Sequence, residues 1–487
     1  MKKLILFSLF IASINQLIGQ SNYIGSGISV QFSGTTGNYI NLGDVYNDLN
    51  FPVTVEAWVK PTGWTPGGYS PIIATDIIGV GGSYYGFWFR FNSAGQLIFE
   101  IGDGSGSGGS DRRGKVTTAS VSLNKWTHVA VVATSVTDIK FYFNGVLQTA
   151  NFTDGGASNT SILHTTYSAN IGRQITPTTE HDFTGQIDEV RLWNVARTET
   201  QIRDYMCLKI TTMPISLIGY WNFDESYVDA TANDITTPAE NGTTGGTVTK
   251  LSSGAPIGDA RVYSYAADFT GVTLSLNSSG GDILKVNKIG NAPYGVHLYR
   301  VNFEPYSTSG LASIPNYYYG VFTADHATAA KYTITYLYSY DNGVVDSFNE
   351  VGSKIYKRLD GSVTMWTNLS ALLDTGSNKL TKKNIATRDE FIFNYKANAR
   401  FAENEPSGLG FKLKVNPNPT TSNIIVESVS QFEPIQIFDI SGKLIKSYTA
   451  NQIGEIIIID VSGFTPGLYI VKQNNLDNTF STEIIIQ

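Results

Sequence analysis

The sequence holds a single cysteine, Cys207, in 487 residues. One thiol cannot form an intramolecular disulfide, so any fold here must stand on packing alone. Cys207 reads as a small buried hydrophobe rather than a reactive thiol. Charge is also scarce, at 15% of residues with a net charge of −7. Without a basic excess there is no electrostatic footprint for nucleic acid or an anionic membrane. Beyond the N-terminus no apolar run reaches the ~20 residues that cross a bilayer as a helix. The five histidines, His128, His164, His181, His297 and His326, include no pair at metal-ligand spacing and no H-E-x-x-H. No G-x-S-x-G occurs either, which removes the usual nucleophile elbow.

What the chain does hold is β-forming. Tyr, Thr and Val are frequent, aromatic residues reach 12%, and Gly numbers 48. With little sustained helical periodicity, this composition predicts an all-β protein of three or four domains. Met1-Lys2-Lys3 followed by the apolar Leu4–Ile11 reads as a secretory signal peptide over residues 1–20. No cysteine follows it, so lipid attachment is not expected.

The most informative stretch is Phe183–Asn194. Gln186, Asp188 and Val190 alternate with Ile187, Glu189 and Arg191, the period of two of a strand. After it, Thr198-Glu199-Thr200-Gln201 is a capping box for a short helix running to about Met206. Companion strands are expected at Val53–Lys60, Trp126–Val132, Lys140–Gly145, Asn170–Gly172 and Leu217–Asp224. Together these motifs resemble the laminin-G-like jellyroll, a relative of pentraxins and concanavalin-type lectins. The resemblance implies a concanavalin A-like jellyroll sandwich over 21–250.

Residues 257–405 carry about seven short strands, from Val272–Leu276 to Glu390–Tyr395, and predict a second β-sandwich of unassigned role. Residues 411–487 contain Asn416-Pro417-Asn418-Pro419-Thr420, Ile437–Ile445 with a Ser441-Gly442 turn, Gly467–Lys472 and a terminal strand Thr482–Gln487. This small Ig-like β-sandwich closely resembles the C-terminal sorting domain of the type IX secretion system. The resemblance implies export through that machinery in a Gram-negative bacterium. It also implies cleavage by a sortase-like protease, and release from or display on the outer surface.

Laminarinase-type relatives set two carboxylates on one strand, and retaining hydrolysis needs them about 5–5.5 Å apart. In Gln186-Ile187-Asp188-Glu189-Val190, strict alternation puts Asp188 alone on one face, so no enzyme is expected. Pentraxins, which the first domain resembles, bind calcium through an acidic loop before this strand. The corresponding loop, Gly172–Asp182, offers Gln174, Glu180 and Asp182 as calcium ligands, against the plainer reading of a solvated loop; Asp224 is a further candidate. In Tyr85–Phe91, Tyr85, Phe87, Phe89 and Phe91 share one face and read as core. Trp88 and Arg90 share the other, as candidate ligand-binding residues. Tyr317-Tyr318-Tyr319 is a weaker aromatic cue. Trp58, Trp126, Trp193 and Trp221 read as core. Gly104–Gly109 fits G-x-G-x-x-G, but no helix opens after it, so a flexible loop is the better reading. The expectation is a secreted or cell-surface, non-catalytic protein that binds glycans or extracellular proteins. The alternatives are a component of polysaccharide degradation and a structural surface protein.

Overall fold

The computed structural model describes residues 24–394 except 36, 79, 154–160, 177–178, 226, 228–229, 279, 312–315, 326–327 and 341–349, and residues 413–487 except 414, 417–419, 421, 428–433, 450–455 and 475–478. The signal segment, His326, Tyr395 and Pro417–Pro419 lie outside the described residues. The chain forms two compact units, residues 1–397 and 398–487.

The first unit opens with the jellyroll. One sheet runs in the order Val146–Gln148, Ile139–Phe143, Thr127–Ala133, Val53–Pro61, Thr184–Trp193, Ile28–Ser33, Thr249–Ser252, and Leu217–Trp221 pairs alongside Thr184–Trp193. The facing sheet has nine strands, from Ala150–Thr153 through Arg112–Ser120, Gln96–Gly102, Phe87–Asn92, Tyr69–Ala74, Ala169–Ile171 and Tyr39–Gly43 to Gly242–Gly245 and Thr231–Ala232. Alternation decides what lies between them. Val53, Val55, Ala57 and Val59 meet Phe87, Phe89 and Phe91 in one apolar core. Each valine or phenylalanine among them contributes about 1.5–3 kcal/mol by leaving water. Tyr85, expected on the same face, lies before the strand and is partly exposed.

The strand Thr184–Trp193 departs from strict alternation. Its pairing with Val53–Pro61 slips between Asp188 and Arg191, and Glu189 takes a left-handed φ of 53°. This β-bulge inserts one residue, so Ile187 and Val190 both enter the core while Asp188 and Glu189 both leave it. The sequence reading that put Glu189 opposite Asp188 is corrected by that extra residue. Beyond Leu217–Trp221 the chain supplies Thr231–Ala232, Gly242–Gly245 and Thr249–Ser252, which complete both sheets.

The helix Glu199–Met206 forms as expected. Gln201 N donates to Thr198 Oγ1 at 3.2 Å, and Thr198 N donates to Gln201 Oε1 at 2.8 Å. Its Ile202 and Met206 face inward.

The second sandwich has a six-stranded and a five-stranded sheet around an apolar core of its own. Ile283–Gly290 and Lys379–Ile385, missed in sequence, are strands whose outward positions carry Lys, Asn and Thr. The two sandwiches are not beads on a string. Trp58, Trp126, Met206 and Cys207 of the jellyroll cluster with Ala255, Ile257 and Phe322. The rings of Trp58 and Phe322 meet edge-on, centroids 5.2 Å apart. Tyr265 OH donates to Asn144 O at 2.7 Å, and Arg261 pairs with Asp204 at 2.6 Å. Burial pushes the Cys207 thiol up, which keeps it protonated and inert.

The second unit packs a three-stranded and a four-stranded sheet around Ile424, Ile435, Ile437, Ile459, Val471 and Ile484. Its Ser441-Gly442 turn is as expected: Gly442 has φ 83° and donates its N–H to Asp439 O at 3.0 Å.

Candidate functional site

The outward face of the nine-stranded sheet carries both residues singled out for ligand binding. Phe87, Phe89 and Phe91 point into the core, which turns Trp88 and Arg90 to the other side. There they do not form an open platform. Trp88 is 0% exposed and Arg90 1%. Ile77, Ile78 and Tyr84 and a short ribbon, Arg173–Ile175 paired with Glu180–Asp182, close over them; Trp88 packs with Ala74, Ile77, Ile78, Tyr84 and Ile175.

Beneath that cover the arginine organises a polar floor. Its guanidinium is salt-bridged to Glu100 and donates from Nη1 to Gln174 Oε1 at 2.7 Å. The bond to Gln174 offsets part of the cost of burying such a pair. Gln174, proposed as a calcium ligand, is thereby committed to Arg90. The other two proposed ligands are committed as well. Arg173 Nε donates to Asp182 Oδ1 at 2.9 Å, and its guanidinium lies 3.4 Å from Glu180. The structure thus brings Gln174 to Trp88 and Arg90, and separates it in role from Glu180 and Asp182. A donor set neutralised by two arginines does not fit a calcium ion, which needs several unpaired oxygens. Among the described residues no group of three His, Cys, Asp or Glu side chains converges as a metal site. Asp224 is buried, accepts from Ile28 N at 2.9 Å and is pushed up by burial to about 8.

At the surface the floor is edged by side chains that sequence reasoning passed over. Tyr69 stacks on Arg90, its ring centroid 3.5 Å from the guanidinium carbon, and meets His181 edge-on at 5.2 Å. Tyr84 meets Trp88 at 5.0 Å, and Arg112 lies 5.5 Å over Tyr84 and 3.9 Å from Glu100. Tyr69, Tyr84, His181 and Arg112 are all partly exposed. The result is one row, His181–Tyr69–Arg90–Trp88–Tyr84–Arg112, with its middle buried and its ends open. Two of its buried donors, Trp88 Nε1–H and Arg90 Nε–H, have no hydrogen-bond partner among the described residues. Buried donors left unpaired cost about 1–3 kcal/mol each and mark a place where an acceptor is favoured. Burial and the nearby Arg90 lower the His181 imidazole, so it is neutral at pH 7. The glycine run beside the row is a hydrogen-bonded loop: Tyr84 N donates to Gly106 O at 2.8 Å, and Asp111 accepts from Gly108 N at 2.6 Å.

The carboxylates weighed for catalysis lie elsewhere, on the outward face of the eight-stranded sheet. Both sit on one side of the bulge and both are closed off, Asp188 at 0% and Glu189 at 2% exposure. Glu189 is salt-bridged to Arg191 and accepts from Tyr220 OH; Asp188 accepts from Ser253 Oγ. Burial, with Glu189 and Asp224 close by, holds the Asp188 carboxyl well above the usual carboxylate range. His128 is buried 3.5 Å from Glu56, and burial keeps it neutral. In the second sandwich Tyr318 and Tyr319 are buried, and Tyr317 is tied to Asp282, so that run offers no open platform.

Residues 33–203 match the concanavalin A-like lectin/glucanases superfamily, and residues 414–487 match the secretion system C-terminal sorting domain. No curated protein matches the chain. Among solved structures, a carbohydrate-binding candidate from Bacteroides ovatus is 23% identical over 48% of this chain, with a TM-score of 0.36. The chain spans 62% of that protein's length. A heptameric SAP-like pentraxin from Limulus polyphemus is 16% identical over 37% of this chain and 81% of its own, TM-score 0.26. The Ruminococcus gnavus IT-sialidase CBM40, bound to α2,3-sialyllactose, is 13% identical over 37% of this chain and 98% of its own, TM-score 0.28.

Proposed function

We propose that this chain, a concanavalin A-like jellyroll with a C-terminal secretion sorting domain, is a secreted or surface-displayed, non-catalytic glycan-binding protein. The observation that carries the reading is the row on the nine-stranded sheet. Partly exposed Tyr69 and Tyr84 supply ring faces for the apolar side of a sugar, and Arg112 and His181 supply polar groups beside them. Hydrolysis is disfavoured because Asp188 and Glu189 are buried and Glu189 is committed to Arg191. Calcium is not required in this reading, since Arg173 and Arg90 already hold the donors of the ribbon.

The test is a glycan array on the intact mature chain, run with calcium and with chelator, beside Tyr69→Ala and Tyr84→Ala. Binding to a sugar class should survive chelation and fall at least about tenfold in each variant, the scale of a lost aromatic anchor. Variants that bind like the parent would sink the assignment to this face, and loss on chelation would return attention to the ribbon. The sorting domain implies the type IX machinery and its sortase-like protease as export partners. Removing residues 414–487 should leave the protein inside the outer membrane, and finding the truncated chain on the surface would overturn that part.

A further inference from the structure

We propose that the seam between the jellyroll and the second sandwich is a separate binding site for a small amphipathic anion, an apolar body ending in a carboxylate. A cavity of about 360 Å³ opens there, lined from both sandwiches of the first unit. Its size lies at the lower end of the ~300–1,000 Å³ typical of ligand pockets, and domain seams are a preferred place for them. The walls are apolar and aromatic: Trp126 from the jellyroll, Phe322 from the second sandwich, and Leu359, which is 57% exposed. Such walls suit a hydrocarbon or aryl body better than a hydroxyl-rich sugar.

The charges around the walls select the sign of the ligand. Lys60, Lys125 and Arg388 line the cavity against two carboxylates, Asp325 and Asp360. Both carboxylates are already occupied. Asp325 lies 3.6 Å from the Arg388 guanidinium, and Asp360 accepts from Ser362 N at 2.9 Å to cap a turn. Lys60 and Lys125, by contrast, have no hydrogen-bond or ion-pair partner among the described residues. An apolar boundary focuses the field of such cations and favours an anionic group between them. The indole N–H of Trp126 is buried without a partner, while its carbonyl accepts from Arg388 Nη1 at 3.2 Å. This site is distinct from the tyrosine row, which lies on the other sheet.

Titration calorimetry on the full mature chain tests this with phenylacetate, 4-phenylbutyrate and octanoate, each beside its neutral amide. At least one carboxylate should bind saturably below about 1 mM, and at least tenfold more tightly than its amide. Lys60→Gln/Lys125→Gln, two partly or fully exposed positions, should remove that tenfold preference and leave amide binding unchanged. Ala386→Trp, which fills the cavity from an exposed lining position, should weaken both probes, while Tyr84→Ala should leave both alone. No saturable binding by any carboxylate, equal binding of carboxylate and amide, or a preference that survives the double lysine variant would each overturn the proposal. Far-ultraviolet circular dichroism of each variant confirms that the fold is kept.

Discussion

The two sheets of the jellyroll turn similar chemistry outward and put it to different ends. Each outward face has a buried arginine paired with a glutamate, Arg90 with Glu100 and Arg191 with Glu189, and each guanidinium lies by an aromatic ring, Trp88 and Tyr220 respectively. On the eight-stranded sheet the pair is closed off, and Arg191 also donates to Tyr205 O of helix Glu199–Met206 at 2.8 Å and to Leu208 O at 3.1 Å. On the nine-stranded sheet the cover is a thin ribbon and a loop. The tyrosines at its edge stand partly in solvent. Cover, more than residue type, separates a structural face from a binding face.

The comparison can be broken most directly at the arginines. Arg191→Met should cost about 3–5 kcal/mol, because it leaves Glu189 buried without its cation. Arg90→Met should cost clearly less, since Glu100 keeps the partly exposed Arg112 at 3.9 Å. Urea unfolding of both variants is the check, and equal costs would mean that the two faces are sealed alike. Next in size, Phe322→Ala should lose about 3 kcal/mol from the seam through the cavity it leaves. It should also split the calorimetric transition of the first unit into two, one for each sandwich. A single sharp transition at unchanged temperature would show that Phe322 does not join them.

The smallest effect concerns acidity. Burial, with Arg261 and Arg203 nearby, pushes the His297 imidazole down to about 3, against ~6.5 in an unfolded chain. The neutral ring therefore belongs to the folded state, and stability present above ~6.5 is lost as the pH falls toward 3. Asp224, raised to about 8, works in the opposite sense over ~4–8, so the readout must be a difference. Between pH 6.5 and 4 the parent should lose about 2–3 kcal/mol more than His297→Phe. Parallel pH profiles would place His297 outside the seam that it lines with Tyr263 and Tyr265.

Much of this architecture was legible because alternation is a local property. Val53–Val59 and Phe87–Phe91 announce their inward faces, Thr198…Gln201 announces a helix start, and Ser441-Gly442 announces a turn. What could not be read depends on partners distant in sequence. The bulge at Glu189 is a mismatch with Val53–Pro61, invisible in either strand alone. Trp88 and Arg90 were placed on the right face, but their burial depends on the ribbon Arg173–Asp182 folding across them. Tyr69 and Tyr84 gave no periodic signal, since one starts a strand and the other sits in a loop. The arginines of the ribbon change the meaning of its acids, and no spacing rule shows where a guanidinium will reach. The seam was hidden because Trp58 reads as ordinary core until Phe322, far along the chain, arrives against it.

The strand Ile28–Ser33 also sets the order in which the molecule can assemble. Its neighbours are Thr184–Trp193 and Thr249–Ser252, and Ser29 meets Gln186 157 residues later. A chain emerging N-terminus first carries this strand unpaired until almost the whole jellyroll has followed. Loop closure over such distances makes folding slow, on the scale of milliseconds to seconds. The interval gives a polypeptide bound for export time to be handed on before its first domain shuts.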